Sequence, residues 1–409
     1  MMDSPEARPL VSAPWLFGRR GLALLALVTA VAATYQVADL VYLAGALLLV
    51  GLVAHAWAGL VFARVAYSRK VARERAFQGD QVELEESLAN PRLLPLAWLE
   101  VWQQLPAALQ PEATDERSFS QPERVWVKRG LAVWPYQRLR WRRRLTCVRR
   151  GVFQFGQVIL RSGDPFGFVE RERIVVDRLE ILVYPHVVPL RRLALSLHHP
   201  SLDALSASSA VADPTRTATI RDYRPDDPRR LIHWPSTARR GQLQVRVLEP
   251  ATSLHVSLLL DVRGFSFGIY RDELFELLLS AVASISVFLQ NQGAPIAMQA
   301  NTNPPLVIPP GASVPHLQYV LESLARLGPS PGPSLLPWAL ADLPRGSTVI
   351  LAASAVAADL AQSIAGLENA GFHVLPLLAA HADHPSRPRP GTISIALGCD
   401  LAARLEGSP

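Results

Sequence analysis

The chain has 409 residues, enough for two or three domains with cores of their own. Hydrophobic residues make up 49% and the mean hydropathy is +0.17, which is high for a wholly soluble protein and calls for membrane segments. Lys and Arg number 41 against 35 Asp and Glu, a net +6 and a pI near 9.7 that suit an anionic surface, whereas Cys147 and Cys399 alone exclude a disulfide framework or a cysteine metal cluster and fit a reducing compartment.

Two apolar runs come first, Gly21 to about Val37 and Leu40 to about Ala63, each close to the ~20 residues that cross a bilayer. Only Ala38 and Asp39 separate them, which predicts a tight transmembrane helical hairpin within residues 1–78. The second run follows the first too closely for a cleaved signal peptide. Arg19 and Arg20 precede the pair, and Arg64, Arg69, Lys70, Arg73 and Arg75 follow it, while the turn carries Asp39 alone. That bias predicts a multi-pass protein of the cell membrane with both ends, and the bulk of the chain, in the cytoplasm. His55 lies in the middle of the second run with no acidic partner beside it, as a helix-packing hydrogen bonder would.

Residues 79–200 read as β-rich. Gln81 to Leu88 alternates, Asn90-Pro91 makes a turn, and Leu96 to Leu105 is again strand-like, with Trp98 and Trp102 prominent. Short strands at such intervals, in a chain with 34 prolines, predict a small sandwich or partial barrel. From Arg138 to Cys147 a period of two puts Arg138, Arg140, Arg142 and Arg144 on one face and Leu139, Trp141, Leu145 and Cys147 on the other, with Arg143 breaking the inner row. The four outward arginines are either a solvated face that resists edge pairing or an anionic-surface site for lipid headgroups. No aromatic is interleaved on that face, which argues against nucleic acid.

Leu205 to Thr217, rich in Ser, Ala and Thr, reads as a loop into the densest stretch of the chain, within residues 201–250. Ile220 to Glu249 reads as strand, turn, short helix, turn, strand. Asp226 and Asp227 are N-cap types and Pro228 suits a first helical position, so a helix is expected from Pro228 to about Trp234, ended by Pro235. Gly241 closes a turn, and Leu243, Val245 and Val247 alternate as the buried face of a strand. Tyr223, Asp227, Arg230, His233, Trp234, Thr237 and Arg239 fall close together. Three uses are open: a buried salt-bridged corner, a binding surface for an anion or peptide, or a catalytic site.

Arg-x-Tyr, Asp-x-x-Arg, Ile-His-Trp, Thr-Ala-Arg and Leu-x-Val-Arg, in that order, resemble the signature of the bacterial domain of unknown function 58 family. The matching positions are Arg221, Tyr223, Asp227, Arg230, Ile232, His233, Trp234, Thr237, Ala238 and Arg239, and Asp226 stands where the family usually has Gly. The resemblance extends upstream to Trp134, the basic run after it, Arg150-Gly151-Val152, Asp164-Pro165-Phe166-Gly167 and Tyr184-Pro185. It implies a β-domain between membrane and signature, and an association with MoxR-type AAA+ ATPases and with other von Willebrand factor type A proteins.

After Pro250 strands and helices alternate. Leu254 to Leu260 is a strand, Asp272 to Leu289 a helix, Pro295 to Ala300 a strand and Val314 to Leu327 a helix. Thr348 to Ala352, Ala357 to Ala370, Phe372 to Leu378 and Thr392 to Leu397 continue as strand, helix, strand, strand. This predicts a doubly wound, largely parallel sheet over residues 251–400, a surface connection at His384 to Pro390, and a tail at 401–409. Asp261 at the end of the first strand resembles the von Willebrand factor type A domain, whose metal site reads Asp-x-Ser-x-Ser. Here the positions read Asp261, Arg263 and Phe265, so a cation stands where the metal would sit and Arg263 is expected to pair with Asp261; no metal and no cofactor is expected.

The whole is thus an α+β multidomain chain: a transmembrane helical hairpin, a β-sandwich-like middle domain and a C-terminal α/β von Willebrand type A-like domain. The expected function is a membrane-anchored cytoplasmic interaction or scaffold protein. The alternatives are a hydrolase using His233 as base and Asp227 as its orienter, or binding of anionic lipid or nucleic acid through the arginine strand at 138–144.

Overall fold

In a computed structural model, the structure describes residues 15–112, 116–120, 123–193, 212–224, 231–250, 256–265, 270–335, 343, 347–355, 359–380 and 391–407. The chain divides into two compact units, Met1–Tyr184 and Pro185–Pro409.

The first unit opens with helices α1 (Arg19–Thr34) and α2 (Ala38–Leu60). α2 is apolar all round, yet its buried residues are all small: Ala44, Gly51, Ala54 and Ala58. They let neighbours come close, since a Cβ at Gly51 would run into Leu22 of α1 and Phe17. Leu43, Leu49, Val50, Leu52, Val53 and Leu60 point outward instead. At 23 residues α2 rises about 34 Å and exceeds the ~30 Å of a hydrocarbon core. Among the described residues it is the helix long and apolar enough to cross a membrane. α1 is shorter, its 16 residues rising only about 24 Å, so length and composition mark out one candidate span where the sequence led us to expect two. Its helix stops at Thr34, ahead of Gln36, which has a left-handed φ of 59°. His55 bonds through Nδ1 to the carbonyl of Gly51, 3.1 Å away in its own helix, rather than to a neighbouring helix.

The strands that follow are β1 (Ala66–Val71), β2 (Arg75–Phe77), β3 (Gln81–Ala89), β4 (Leu96–Pro106), β5 (Leu109–Pro111), β6 (Glu116–Ser120), β7 (Arg124–Val133), β8 (Arg138–Cys147), β9 (Gly151–Gln154), β10 (Val158–Gly163), β11 (Glu170–Val175) and β12 (Glu180–Tyr184). They form sheets in the orders β1-β3-β8-β5, β11-β10-β4-β7-β6 and β2-β12-β9. Alternation along β3 and β8 turns Leu84 and Leu145 inward, where they meet Leu105 of β4 and Val127 of β7. A second cluster, Leu88, Leu96, Leu99, Val133 and Leu160, reaches Val61 and Val65 just beyond α2. The expected β-rich middle region is therefore present, and its core begins at the exit of the apolar helix.

The second unit contains β13 (Ala212–Asp222), α3 (Trp234–Arg240), β14 (Gln244–Pro250), β15 (Val256–Leu260), α4 (Arg271–Asn291), β16 (Ile296–Ala300), β17 (Leu306–Gly311), α5 (Val314–Arg326), β18 (Thr348–Ser354), α6 (Leu360–Asn369), β19 (His373–Ala380), β20 (Ile393–Ala396) and α7 (Leu401–Glu406). One sheet runs β17-β16-β15-β18-β19-β20, parallel throughout except for β17. β15, β16 and β18 are buried at every position, as strands covered on both faces must be.

Some expectations fail, each for a local reason. β17 is an antiparallel strand not foreseen from the sequence; it holds Pro309 and Pro310, and an edge strand tolerates residues that cannot donate. The stretch from Ala212 to Thr217 is strand rather than loop, because it pairs across to β14. Residues 401–406 form α7, started by the Asp400 side chain, which accepts from Ala402 and Ala403. The surface connection expected at 384–390 lies outside the described residues.

Candidate functional site

The signature folds as a hairpin with a helix set into its connection. β13 pairs antiparallel with β14 from Asp222↔Gln244 onward, and Ile232 adds a bridge to Val245. The helix does not end at Pro235; it starts at Trp234 with Pro235 in its first turn, where a missing N–H costs nothing. His233 is its N-cap: Nδ1 accepts from the Ser236 N–H at 3.3 Å and lies 2.8 Å from Ser236 Oγ. Gly241, at φ 71°, closes the helix in the left-handed region that favours glycine.

Gln244 joins the parts. Its N–H donates to Thr237 Oγ1 at 3.0 Å, its carbonyl accepts from the His233 N–H at 2.8 Å, and its side-chain amide donates to Asp222 Oδ1 at 2.6 Å. It is buried, so these bonds act away from water. Asp222 and Gln244 occupy the unspecified positions of Arg-x-Tyr and Leu-x-Val-Arg. Motif reading passed over them, and only strand register brings them face to face.

Arg221 bonds through Nη1 to the Asp222 carbonyl at 3.0 Å, and the Tyr223 N–H donates to the Leu243 carbonyl at 2.9 Å. α3 buries no residue: Trp234 is 66% exposed, Arg239 is exposed, and Thr237 and His233 are half-buried. The buried-corner reading therefore fails for the helix itself, and Leu243, expected in the core, is also exposed. Asp227 and Arg230 lie outside the described residues. Because the His233 Nδ1 lone pair serves the cap, what Ser236 and His233 make together is a helix start.

A second group stands at the carboxyl end of the parallel sheet, where β15 is flanked by β16 and β18 and the strand order reverses. Asp261 is buried there. Its Oδ1 accepts from Asn301 Nδ2 at 2.8 Å and from the Arg263 N–H at 3.1 Å, while Asn301 Oδ1 accepts from the Val262 N–H at 2.8 Å. Arg263 was expected to pair with Asp261. Its Nε is 3.7 Å from Asp261 Oδ1, but its hydrogen bond goes to Asp359 Oδ2 at 3.0 Å, so the guanidinium spans two carboxylates. Among the described residues no three His, Cys, Asp or Glu side chains converge as metal ligands.

On β8 the arginines do alternate outward, with Arg143 inside. Arg142 meets Glu85 at 2.9 Å and Arg144 lies 3.8 Å from both Glu83 and Glu112, so cross-strand carboxylates neutralise that half of the row. Arg138 and Arg140 face Ala89 and Ser87 in the register, and no described carboxylate pairs with them. Cys147 on the inner face is buried, which together with Asp80 pushes its thiol up to about 11 and leaves it protonated and inert at neutral pH.

Residues 219–370 match the family described as "Protein of unknown function DUF58". The uncharacterized protein YeaD of Bacillus subtilis (strain 168) is 24% identical over 260 residues, 63% of this chain and 61% of that protein, so the chain spans less than two thirds of this relative's length. Among solved structures, a cohesin module from a Clostridium perfringens family 33 glycoside hydrolase aligns at 10% identity over 29% of this chain and 96% of its own, with a TM-score of 0.22. A beta-glucosidase from Listeria innocua aligns at 14% identity over 29% of this chain and 16% of its own, with a TM-score of 0.17. Likenesses this slight carry no argument about fold or activity. The matched segment runs from the hairpin strand that carries Arg221 and Tyr223 through α6, and over that segment the chain is similar to the domain of unknown function 58 family.

Proposed function

We propose that this is a membrane-anchored interaction protein whose signature hairpin is a docking surface for a protein partner. The observation that carries the reading is Trp234: a tryptophan 66% exposed at the start of a helix that buries nothing, with Leu243 and Ile220 also exposed on the same hairpin. Large exposed aromatics are what interfaces bury at their centres, and Gln244 holds this one on a braced support. The family resemblance supplies the partner, a MoxR-type AAA+ ATPase, and extends to other von Willebrand type A proteins.

The anchor is α2, with α1 completing a hairpin that enters and leaves the same side of the inner membrane; the roughly 6 Å by which α1 falls short of a hydrocarbon core is taken up by local thinning of the bilayer. Supporting this, α1 exposes Leu24, Leu27 and Val31 beside the outward leucines and valines of α2. Arginines flank the pair at Arg19, Arg20 and Arg64, so both connections belong in the cytoplasm with the bulk of the chain. The doubly wound sheet ending its first strand on Asp261 is the part we read as von Willebrand type A-like. Arg263 there supplies internally the positive charge that a divalent ion would bring, which favours a scaffold over a metal-dependent contact.

The test is co-purification of the detergent-solubilised full chain with a MoxR-type ATPase from the same organism. Wild-type protein should retain the ATPase, and Trp234→Ala should lose at least about tenfold in affinity, since a central interface tryptophan is worth roughly 2 kcal/mol or more. Equal retention by both proteins, or none by either, overturns the reading.

A further inference from the structure

We propose that the end of the β-domain from which α2 emerges is itself a membrane-contact surface, seating Leu93, Trp134, Tyr136 and Phe166 in the headgroup layer of an anionic bilayer, with Arg64 and Arg138 against its phosphates. The inference rests on the membrane-anchored reading and goes beyond it. The anchor would then be a lipid-facing domain end as well as helices.

The depth of these loops follows from what they are tied to. Arg92 donates from Nη2 to the Val61 carbonyl at 2.6 Å and from Nη1 to the Leu60 carbonyl, so it caps the end of α2. The Tyr136 N–H donates to the Arg92 carbonyl at 3.1 Å, and Asn90 Nδ2 donates to the carbonyls of Leu94 at 2.9 Å and Trp134 at 3.2 Å. The loop that carries Leu93 and the turn that carries Trp134 and Tyr136 are thereby fastened to the last turn of α2. A third loop joins them: Phe166 stacks on Phe168 with centroids 5.7 Å apart, and Phe168 stacks on Phe17 at 4.5 Å and packs with Val169 on Ala54 and Ala58. Since α2 is longer than a hydrocarbon core is thick, its final turn reaches the headgroups and carries all three loops to that level.

The residues placed there match that layer. Leu93 and Phe166 are each 75% exposed, Trp134 69% and Tyr136 71%, a concentration of bare apolar surface at one end of a domain. Trp and Tyr prefer the interface, where the ring is sheltered and the polar tip stays wet. Tyr136 also holds a left-handed φ of 57°, costly for any residue but glycine or asparagine, so the turn keeps an aromatic where a cheaper residue would close it. Charge agrees. Burial lowers the Arg92 guanidinium from its ordinary value, and the neighbouring Arg64 cation lowers it further, a repulsion that a phosphate would relieve. Arg138 starts β8 directly after the turn, and no described carboxylate pairs with it.

The test uses the full chain reconstituted into vesicles of phosphatidylcholine and phosphatidylglycerol whose acyl chains are brominated near the headgroup. The chain has nine tryptophans, so the emission of Trp134 is taken as the difference between wild type and Trp134→Phe, a variant that should fold because the side chain is exposed. Most of that difference should be quenched, and both proteins should float with the vesicles. Flotation with an unquenched Trp134 overturns this proposal and leaves the anchor standing, which would mean that a protein covers the patch instead. Failure of both proteins to float overturns the anchor as well. Equal quenching without phosphatidylglycerol overturns the assignment to an anionic surface.

Discussion

Two arginine–carboxylate groups in this chain use the same chemistry in opposite surroundings. In the β-domain, Glu86 and Arg143 are both buried between sheets. Glu86 Oε1 accepts from Tyr67 at 2.7 Å and Oε2 from Trp141 Nε1 at 2.7 Å, while Arg143 Nη1 donates to Gln103 Oε1 at 2.9 Å and its Nη2 stands 3.9 Å from Glu86. In the α/β unit, Arg263 spans Asp261 and Asp359 at the open end of the sheet, half in solvent. The first group is enclosed and its members depend on one another. The second is built on a buried Asp261 but closed by a cation that water can replace. Burial, more than pairing, sets what each is worth.

Arg143→Ala should be the most damaging change, costing about 3–5 kcal/mol in urea unfolding of the solubilised chain, because it strands a buried carboxylate. A cost under ~1 kcal/mol would mean that Glu86 is neutral when folded. The pH profile sharpens this. Burial raises the Glu86 carboxyl above its ordinary 4.5, outweighing the lowering by Arg143 and by the Tyr67 and Trp141 donors. The folded chain then holds that proton more tightly than the unfolded chain. Its contribution is fully present below 4.5 and is lost as pH rises through the raised value. Glu86→Gln should flatten the fall in stability above pH 4.5, and an unchanged slope would assign it to another group.

Asp261→Ala should cost less, about 1–3 kcal/mol, by leaving the Asn301 amide and the Arg263 N–H without their acceptor. Arg263→Ala should cost least, within about 1 kcal/mol, since the Asp359 side chain is partly open to solvent, which takes over. If Arg263→Ala proved as costly as Arg143→Ala, the two groups would not differ in kind.

Much of the architecture was legible. Periodicity located β3, β4, β8, α4, α5 and the parallel strands within a few residues, because burial on one face or on both leaves a repeating apolar pattern. The signature was legible as strand, helix and strand, but the helix described there was not foreseen: the start expected at Asp226, Asp227 and Pro228 lies outside the described residues, and Pro235, read as a stop, stands in the first turn of a helix that His233 caps. Gln244 was missed because a glutamine in a strand carries no sign of its role until the register sets it opposite Asp222.

Taken alone, the amino-acid sequence determined the apolar helix near the start, the outward row of arginines, the alternation that builds the β-domain and the α/β order of the later half, since each depends on a residue and its near neighbours. Tertiary structure alone decided that Arg142 and Arg144 are neutralised while Arg138 and Arg140 meet no carboxylate among the described residues, that Arg263 reaches Asp359, and that Trp234 stands in solvent. Those outcomes depend on which strand lies alongside and what covers it. Pairing partners distant in the chain set that, and no local pattern encodes it.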